Sequence, residues 1–278
     1  MLERTYDQTP GGRAVKVRLV VVGGGKMGEA LVSGVLRGGW ATTGEVAVVE
    51  ALPARRDELT RAHPGLGVGL DLPAGADGAV IAVKPPDVRA ACAMVAPARP
   101  GRVLSIAAGV TLAALEGWLP GLPVVRAMPN TAAVVGAGAA AIAAGSAASG
   151  ADLDWAEEVL GSVGLVVRVT EKALDAVTGL SGSGPAYIFL VTEALIDAGV
   201  LAGLDRPTST ALARQTVVGA ARLLDETGEA PESLRAAVTS PGGTTAAGLR
   251  VLEQRGVRAA FLDAVIAATE RSAELGRG

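Results

Sequence analysis

A glycine-rich segment near the start of the chain limits the fold more than any other feature of the sequence. It reads Gly23-Gly24-Gly25-Lys26-Met27-Gly28 and has the G-x-G-x-x-G spacing. An apolar run typical of a buried strand precedes it, and a stretch typical of a helix follows. The first two motif glycines let the backbone turn tightly and approach a pyrophosphate, which then lies at the amino end of the helix. The spacing alone is as often structural as functional, but in this context it predicts a dinucleotide-binding turn.

Short apolar runs alternate with helical stretches from residue 15 to about residue 170. The runs are too continuously apolar for a sheet with one wet face, so they predict buried parallel strands joined by right-handed helical crossovers. The predicted fold class is therefore α/β, a Rossmann-like doubly wound parallel sheet that binds its ligands at the carboxyl ends of its strands. The predicted strands are 17–22, 46–49, 79–83, 103–106 and 123–126.

Beyond Val169 the strand patterns give way to long helical patterns, which predict an all-helical C-terminal dimerisation domain. Pro185, Pro207 and Pro231 are each expected in a first helical turn, where proline is tolerated. The helix from Pro185 to Gly199 carries few charges, so we expect it to be buried nearly all round, which suggests a partner subunit. The predicted domains are a flexible lead-in at 1–14, a dinucleotide-binding domain at 15–170 and a helical substrate-binding and dimerisation domain at 171–278.

Composition excludes several classes of protein. The chain has 278 residues, is 50% hydrophobic and 19% charged, and can bury enough apolar surface to exclude whole-chain disorder. A net charge of −3 and 3% aromatic residues argue against nucleic-acid binding. Cys92 is the single cysteine and there is one histidine, so we expect no internal disulfide and no metal site. With no apolar leader at the N-terminus, these features predict a cytoplasmic protein.

The segment between Arg126 and Asp152 carries no charged side chain and is long enough to span a bilayer. It consists mainly of alanine and glycine, and it lacks the density of leucine, isoleucine and phenylalanine that favours insertion. It therefore predicts a buried strand and turn region, and we expect no membrane association.

The end of the second predicted strand bears on the choice of cofactor. Glu50 stands where an acidic side chain ordinarily holds the ribose 2′-hydroxyl of NAD. Arg55 and Arg56 follow, and a guanidinium pair there would instead bind the 2′-phosphate of NADP. Alternatively, both arginines only solvate the first turn of the next helix. The expected cofactor is NADPH or NADH, with NADPH slightly favoured.

Other strand ends offer further cofactor contacts. The segment Ala82-Val83-Lys84-Pro85 places a lysine where it would cover the ribose or the phosphates, the alternative being a solvated loop lysine. Two later strand ends supply small residues and exposed amides that suit the border of a nicotinamide, namely Ile106, Ala107, Ala108 and Asn130.

Two long segments are specific enough to indicate a family. Residues 175–203 read DAVTGLSGSGPAYIFLVTEALIDAGVLAG, and residues 238–248 read VTSPGGTTAAG. With supporting matches at 23–28, 82–85, 105–109 and 126–131, the chain resembles pyrroline-5-carboxylate reductase over about residues 17–275. The resemblance implies NAD(P)H-dependent reduction of 1-pyrroline-5-carboxylate to L-proline, the last step of proline biosynthesis, by hydride transfer to the C=N carbon. It also implies a homodimer that assembles into a larger homo-oligomer.

The resemblance also implies a substrate site. The turn Ser240-Pro241-Gly242-Gly243-Thr244-Thr245 precedes a helix predicted to begin near Thr245, where converging N–H groups would bind an anion. In the family, the amides matching 243–245 hold the substrate carboxylate, and the hydroxyl matching Thr245, the catalytic candidate, bonds the ring nitrogen. Ser183 would help to form the substrate cleft at the dimer interface. Alternatively, these serines and threonines are only helix caps.

The segment from Glu50 to Arg56 departs from the commoner family pattern, in which a polar residue and an arginine directly follow the strand. Reduction of a protonated imine depends on close placement of the nicotinamide, so the absence of an acid–base pair does not exclude it. Two other functions remain open at this stage. One is a related Rossmann oxidoreductase acting on another cyclic imine or a 3-hydroxy acid, and the other is a non-catalytic dinucleotide sensor or scaffold.

Overall fold

The computed structural model describes residues 16–276. The chain divides into two compact units. The sheet unit contains the residues up to Gly182 together with those from Ala268 onward, and the helical unit is Ser183–Ala267. The predicted lead-in, 1–14, lies outside the described residues.

The sheet unit carries eight strands in the order β3-β2-β1-β4-β5-β6-β7-β8. Every neighbouring pair is parallel except β6 and β7, which are antiparallel. This arrangement confirms the predicted Rossmann-like α/β class. The strands are β1 (Leu19–Val22), β2 (Val46–Val49), β3 (Gly67–Gly69), β4 (Gly78–Ile81), β5 (Val103–Ser105), β6 (Val124–Met128), β7 (Gly138–Ala144) and β8 (Gly164–Arg168).

Helices cover both faces of the sheet. Alternate residues of β1 enter two separate cores, with Leu19 and Val21 on one face and Val20 and Val22 on the other. The first core is closed by α1 (Lys26–Arg37), α2 (Pro53–Ala62) and α5 (Gly150–Gly161), and the second by α3 (Val88–Ala98), α4 (Leu112–Trp118) and α6 (Leu174–Val177). The central strands of the sheet are buried on both faces, which explains why their sequences are continuously apolar.

The sheet unit ends later than the predicted boundary near residue 170. Leu174 is fully buried in the second core and Val177 packs against it. The Ser272 hydroxyl donates to a carboxylate oxygen of Asp175 at 2.7 Å, which joins the far end of the chain to this segment. Residues 171–182 therefore complete the sheet unit, although their helical sequence pattern resembles that of the following domain.

The helical unit contains helices at the predicted places. They are α7 (Gly184–Leu201), α8 (Arg206–Thr227), α9 (Pro231–Ala237), α10 (Thr244–Gln254) and α11 (Val257–Leu275), whose last turns belong to the sheet unit. Pro185, Pro207 and Pro231 all lie in a first helical turn, as predicted.

The predicted burial of α7 is wrong for the single chain. Phe189 and Leu190 are 63% and 66% exposed, and Leu201 is 91% exposed. Only one side of the helix is covered within its unit, where it packs on α8 and the Ser209 hydroxyl donates to the Ile196 carbonyl at 2.7 Å. The stretch Glu171–Leu201 contains an 18-residue window of mean hydropathy 1.4 and is long and apolar enough to cross a membrane by length and composition alone.

The uncharged segment 127–151 forms strands and turns, as expected from its composition. It contains the end of β6, a short 3-10 turn at Thr131–Val135 and the whole of β7. Ala141, Ile142 and Ala143 are buried in the two cores. β7 is the second strand from one edge of the sheet, between β6 and β8, and its small side chains are covered on both faces.

Candidate active site

The glycine turn joins β1 to α1 at the carboxyl edge of the sheet. Gly23 has φ +106°, and a Cβ there would lie 2.8 Å from the Ala82 carbonyl oxygen. A Cβ on Gly28 would lie 2.0 Å from the Gly23 carbonyl oxygen, so the turn folds back on the helix only with glycine at both positions. Gly25, the residue before α1, is different, because a Cβ there would meet no atom within 4 Å.

A cavity of about 710 Å³ opens beside this turn. It brings together six of the predicted cofactor residues from three separate segments, in agreement with the rule that ligands bind at the carboxyl ends of parallel strands. These residues are Gly23, Gly25, Glu50, Ala82, Val83 and Lys84.

The cavity also has an apolar wall that the sequence reading missed. Leu52, Leu70 and Met94 line it and are all substantially exposed. Exposed large apolar side chains around a cavity suit a flat aromatic ligand such as adenine. The wall comes from three segments far apart in the sequence, so only the folded chain could identify it. Asp87 adds a carboxylate to the same lining.

Glu50 lies at the end of β2 with both carboxylate oxygens engaged by the backbone. Oε2 accepts from the Gly24 N–H at 2.9 Å, and Oε1 accepts from the Leu52 N–H at 2.8 Å. The side chain lines the cavity, as the sequence predicted, but it also supports the glycine turn directly.

The two arginines differ in their contacts, and neither lines the cavity. Arg55 donates from Nε to the Gly24 carbonyl at 2.7 Å and forms ion pairs with Glu58 and Glu29. Hydrogen bonds to Glu58 and then to Glu29 raise the pKa of Arg55 above its ordinary value. Arg56 donates from Nη1 to the carbonyl oxygens of Glu50 and Ala51, both at 2.8 Å, and has no carboxylate partner within residues 16–276.

Several predicted cofactor residues do not line this cavity. The side-chain amide of Asn130 has two backbone partners, since Nδ2 donates to the Ser181 carbonyl and Oδ1 accepts from the Ala139 N–H, each at 3.1 Å. Asn130 therefore links the 3-10 turn after β6 to β7 and to the π-helical turn Thr178–Gly182. The other residues outside the lining are Gly24, Lys26, Met27, Gly28, Pro85, Ile106, Ala107 and Ala108.

The predicted substrate turn lies in the helical unit, just before α10. Gly242 has φ +69°, and Gly243 occupies the position before the helix, which begins at Thr244, one residue earlier than predicted. The Gly243 N–H donates to the Ser240 carbonyl at 3.0 Å and is therefore engaged within the turn. No side chain caps α10, which leaves the N–H groups of Thr244 and Thr245 at an open helix terminus. Ser183 precedes α7, and its hydroxyl makes no capping bond.

Within residues 16–276 there is no group of three or more histidine, cysteine, aspartate or glutamate side chains that could hold a metal ion. The described site residues offer an anion-binding turn, a cation at Lys84 and an apolar wall.

Family models match both parts of the chain. Residues 171–275 match the model described as pyrroline-5-carboxylate reductase dimerisation, and residues 18–109 match the model described as NADP oxidoreductase coenzyme F420-dependent. Among curated proteins, the pyrroline-5-carboxylate reductase of Synechocystis sp. is 43% identical over 95% of this chain and 100% of its own length. That of Mycobacterium tuberculosis is 44% identical over 93% of this chain and 96% of its own length.

Solved structures agree with these matches. A pyrroline-5-carboxylate reductase from Coxiella burnetii superposes with a TM-score of 0.88 at 36% identity, covering 94% of this chain and 98% of its own. The Plasmodium falciparum pyrroline carboxylate reductase, solved with NADP bound, gives a TM-score of 0.79 at 28% identity over 95% of this chain and 100% of its own. The similarity thus covers both units and the glycine turn.

Proposed function

Because the chain belongs to the pyrroline-5-carboxylate reductase family and reduces 1-pyrroline-5-carboxylate to proline with a nicotinamide cofactor, we propose roles for the individual residues of its site. The observation that carries the proposal is the glycine turn opening onto the 710 Å³ cavity with Lys84 beside it. The alternatives, another cyclic imine, a 3-hydroxy acid or a non-catalytic sensor, have no comparable support. In this proposal residues 15–170 bind the cofactor, and residues 171–278 bind the substrate and form the dimer.

The described residues fit a dinucleotide. Gly25 leaves open space at the start of α1 for a pyrophosphate, and the first N–H groups of that helix face the same end. Lys84 supplies a cation for the phosphates or ribose, while Leu52, Leu70 and Met94 offer the apolar surface that an adenine needs. When bound, the reduced nicotinamide supplies the hydride for the C=N carbon.

NADPH is the proposed preferred cofactor, and Arg56 is the proposed ligand of its 2′-phosphate. The guanidinium of Arg56 lies beside the end of β2, where it donates to carbonyl oxygens and pairs with no carboxylate of residues 16–276, so it is available to an anion. Arg55 is already neutralised by two carboxylates and is less suitable. Both oxygens of Glu50 accept backbone N–H groups, which weakens the case for Glu50 as the ribose ligand.

The experiment is an assay of pyrroline-5-carboxylate-dependent oxidation of NADPH and of NADH, with wild type and Arg56→Ala. We expect turnover with NADPH preferred, and in the variant a rise of about tenfold or more in the KM for NADPH, with the KM for NADH changed less than about twofold. If wild type prefers NADH, the 2′-hydroxyl role returns to Glu50. No turnover in folded protein would refute the assigned reaction.

The substrate carboxylate is proposed to bind the N–H groups of Thr244 and Thr245 at the start of α10, and the Thr245 hydroxyl to bond the ring nitrogen. The open helix terminus supports this role, since it presents uncapped donors and a favourable dipole. Ser240, Gly242 and Gly243 shape the turn, with Gly243 engaged through its hydrogen bond to the Ser240 carbonyl. Ser183 is retained as a proposed cleft residue.

The variants Thr245→Ala and Thr245→Ser test whether Thr245 acts through its hydroxyl or only through the packing of its side chain. We expect the alanine variant to lose about 10–100-fold in kcat/KM for the imine, with an unchanged Kd for NADPH, and the serine variant to recover most of the loss. Equal losses in both variants, or none in either, would contradict the role of the hydroxyl.

The homodimer is proposed to assemble into a larger homo-oligomer in the cytoplasm, without contact with a membrane. The matched dimerisation model spans α7, which supports a partner subunit, and not lipid, as the cover of its apolar face. Light scattering behind size exclusion, without detergent, tests this, since we expect a mass that is an even multiple of the 27.6 kDa chain. Recovery of the protein only with membranes or detergent would contradict it.

A further inference from the structure

The two peptide groups that flank Gly24 in the glycine turn are each held by a side chain, one from the end of β2 and one from α2. The Gly24 N–H donates to Glu50 Oε2 at 2.9 Å, and the Gly24 carbonyl accepts from Arg55 Nε at 2.7 Å. Both side chains come from positions where the sequence suggested cofactor ligands. Their contacts in the structure are with the turn itself.

Space around Gly24 is closed from the same direction. A Cβ on Gly24 would lie 2.5 Å from Leu59 Cδ1 and 3.2 Å from Glu50 Oε2. The backbone at Gly24 therefore lies against α2 and the end of β2 and has little freedom to move away from them. The next residue, Gly25, immediately precedes α1, which begins at Lys26.

The remaining donors of Arg55 are also engaged. Nη2 pairs with Glu29 at 2.5 Å in the first turn of α1, and Nη1 pairs with Glu58 at 2.8 Å on α2. Its side chain is 22% exposed and does not line the cavity. A planar guanidinium with a fixed fork can join three partners in this way, whereas a lysine ammonium is a compact charge at the end of a flexible stem.

We propose that Arg55, together with Glu50, is a positioning residue that fixes the two peptide groups flanking Gly24 and so orients the turn for the pyrophosphate, and that Arg55 does not read the 2′-phosphate. This inference rests on the proposed function only in that a dinucleotide binds the turn. It is independent of the role given to Arg56. A turn whose amides are already aimed at the ligand avoids ordering cost on binding, so the loss of Arg55 weakens binding of the pyrophosphate itself.

Two small ligands separate the pyrophosphate from the 2′-phosphate. ADP carries a pyrophosphate and no 2′-phosphate, and adenosine 2′-monophosphate carries a 2′-phosphate and no pyrophosphate. For Arg55→Ala we expect Kd values for ADP, NADH and NADPH to rise by a common factor of about ten, while that for adenosine 2′-monophosphate stays within about twofold. Arg56→Ala is expected to weaken binding of NADPH and of adenosine 2′-monophosphate and to leave the Kd values for ADP and NADH within about twofold of wild type.

The experiment is calorimetric or fluorescence titration of the full-length protein with these four ligands. Arg61→Ala is the matched control, because Arg61 lies on the same helix and donates only to the Asp57 carbonyl, in an exposed contact. We expect it to bind all four ligands as wild type does. Arg55→Lys, which retains the charge, is expected to recover part of the affinity for ADP.

Three results would overturn the inference. They are selective weakening of NADPH and adenosine 2′-monophosphate in Arg55→Ala, equal weakening of all four ligands, and no weakening of any. If Arg55→Ala does not melt cooperatively, Glu29→Gln tests the same support through the Nη2 partner, and unchanged binding of ADP there would count against it. A wild-type preference for NADH would refute the role of Arg56 and leave the ADP result to decide this one.

Discussion

The glycines of the turn are required for different physical reasons. Gly28 is required by the fold, since its Cβ would overlap the Gly23 carbonyl. Gly25 has open space around it and lines the cavity, so the demand for glycine there comes from the ligand.

Gly25→Ala and Gly28→Ala should therefore fail in different ways. We expect Gly25→Ala to melt close to wild type and to bind NADPH about tenfold or more weakly, because the new methyl occupies the pyrophosphate space. Gly28→Ala should lose roughly 3 kcal/mol of stability through overpacking. Denaturant unfolding and NADPH titration check both, and a stable Gly28→Ala variant would contradict the assignment.

Cys92 is expected to be chemically silent in the folded protein. Burial in the core beneath α3 raises the pKa of its thiol to about 11, so the reactive thiolate is scarce at pH 8. Labelling with a thiol reagent at pH 8 should be slow in native protein and complete in denaturant. Fast labelling of native protein would show that the core around α3 opens readily.

Among the elements, an ion pair joins the sheet to the segment that leads into the helices. The nearly buried Arg126 of β6 pairs with Glu171 at 2.9 Å, and the same carboxylate oxygen accepts from the Leu112 N–H at the start of α4. Three elements thus depend on one carboxylate.

Glu171→Ala should leave the Arg126 charge buried without its partner. We expect a loss of about 2 kcal/mol, discounted from values for fully buried pairs because Glu171 is partly exposed. The matched control is Glu157→Ala, which breaks an exposed pair with Arg168 and should have no measurable effect. Urea midpoints at one protein concentration compare the two, and equal midpoints would refute the role of Glu171.

The sequence predicted correctly those strands, turns and helices whose formation depends on residues close together in the chain. β1, the glycine turn and the proline-initiated helices carry their own signals. β7 was predicted only as part of a strand and turn region without bounds, because its alanine-rich sequence has little strand preference, and it forms a strand because both neighbours pair with it. The sequence could not distinguish the contacts of Arg55 from those of Arg56, because the ion pair of Arg55 with Glu29 joins α2 to α1 and forms only in the folded chain.

At the scale of the whole molecule, α7 exposes a large apolar face to solvent in the single chain. The sequence predicted burial of this helix, and the match to a dimerisation model indicates where that burial occurs. Sequence patterns report the environment of the assembled protein, which one chain does not supply.

Phe189→Glu combined with Leu190→Glu should weaken the dimer, because charges would replace large apolar side chains at the centre of that face. We expect a lower mass by light scattering and a lower melting temperature. Wild type should melt roughly 1–2 °C higher for each tenfold rise in concentration, as linkage to association requires. Ala93→Glu, on the exposed side of α3, is the control and should keep the wild-type mass.

The return of the last turns of α11 to the sheet unit affects the order of synthesis. The hydrogen bond between Asp175 and Ser272 closes a loop of the chain that contains the entire helical unit. The ribosome makes every strand of the sheet before residue 170, yet the sheet unit is complete only when the residues after 267 have been made. The nascent sheet unit must therefore wait, without the contacts that the last turns of α11 make with Asp175 and Gly109, until the helices that follow it have been translated.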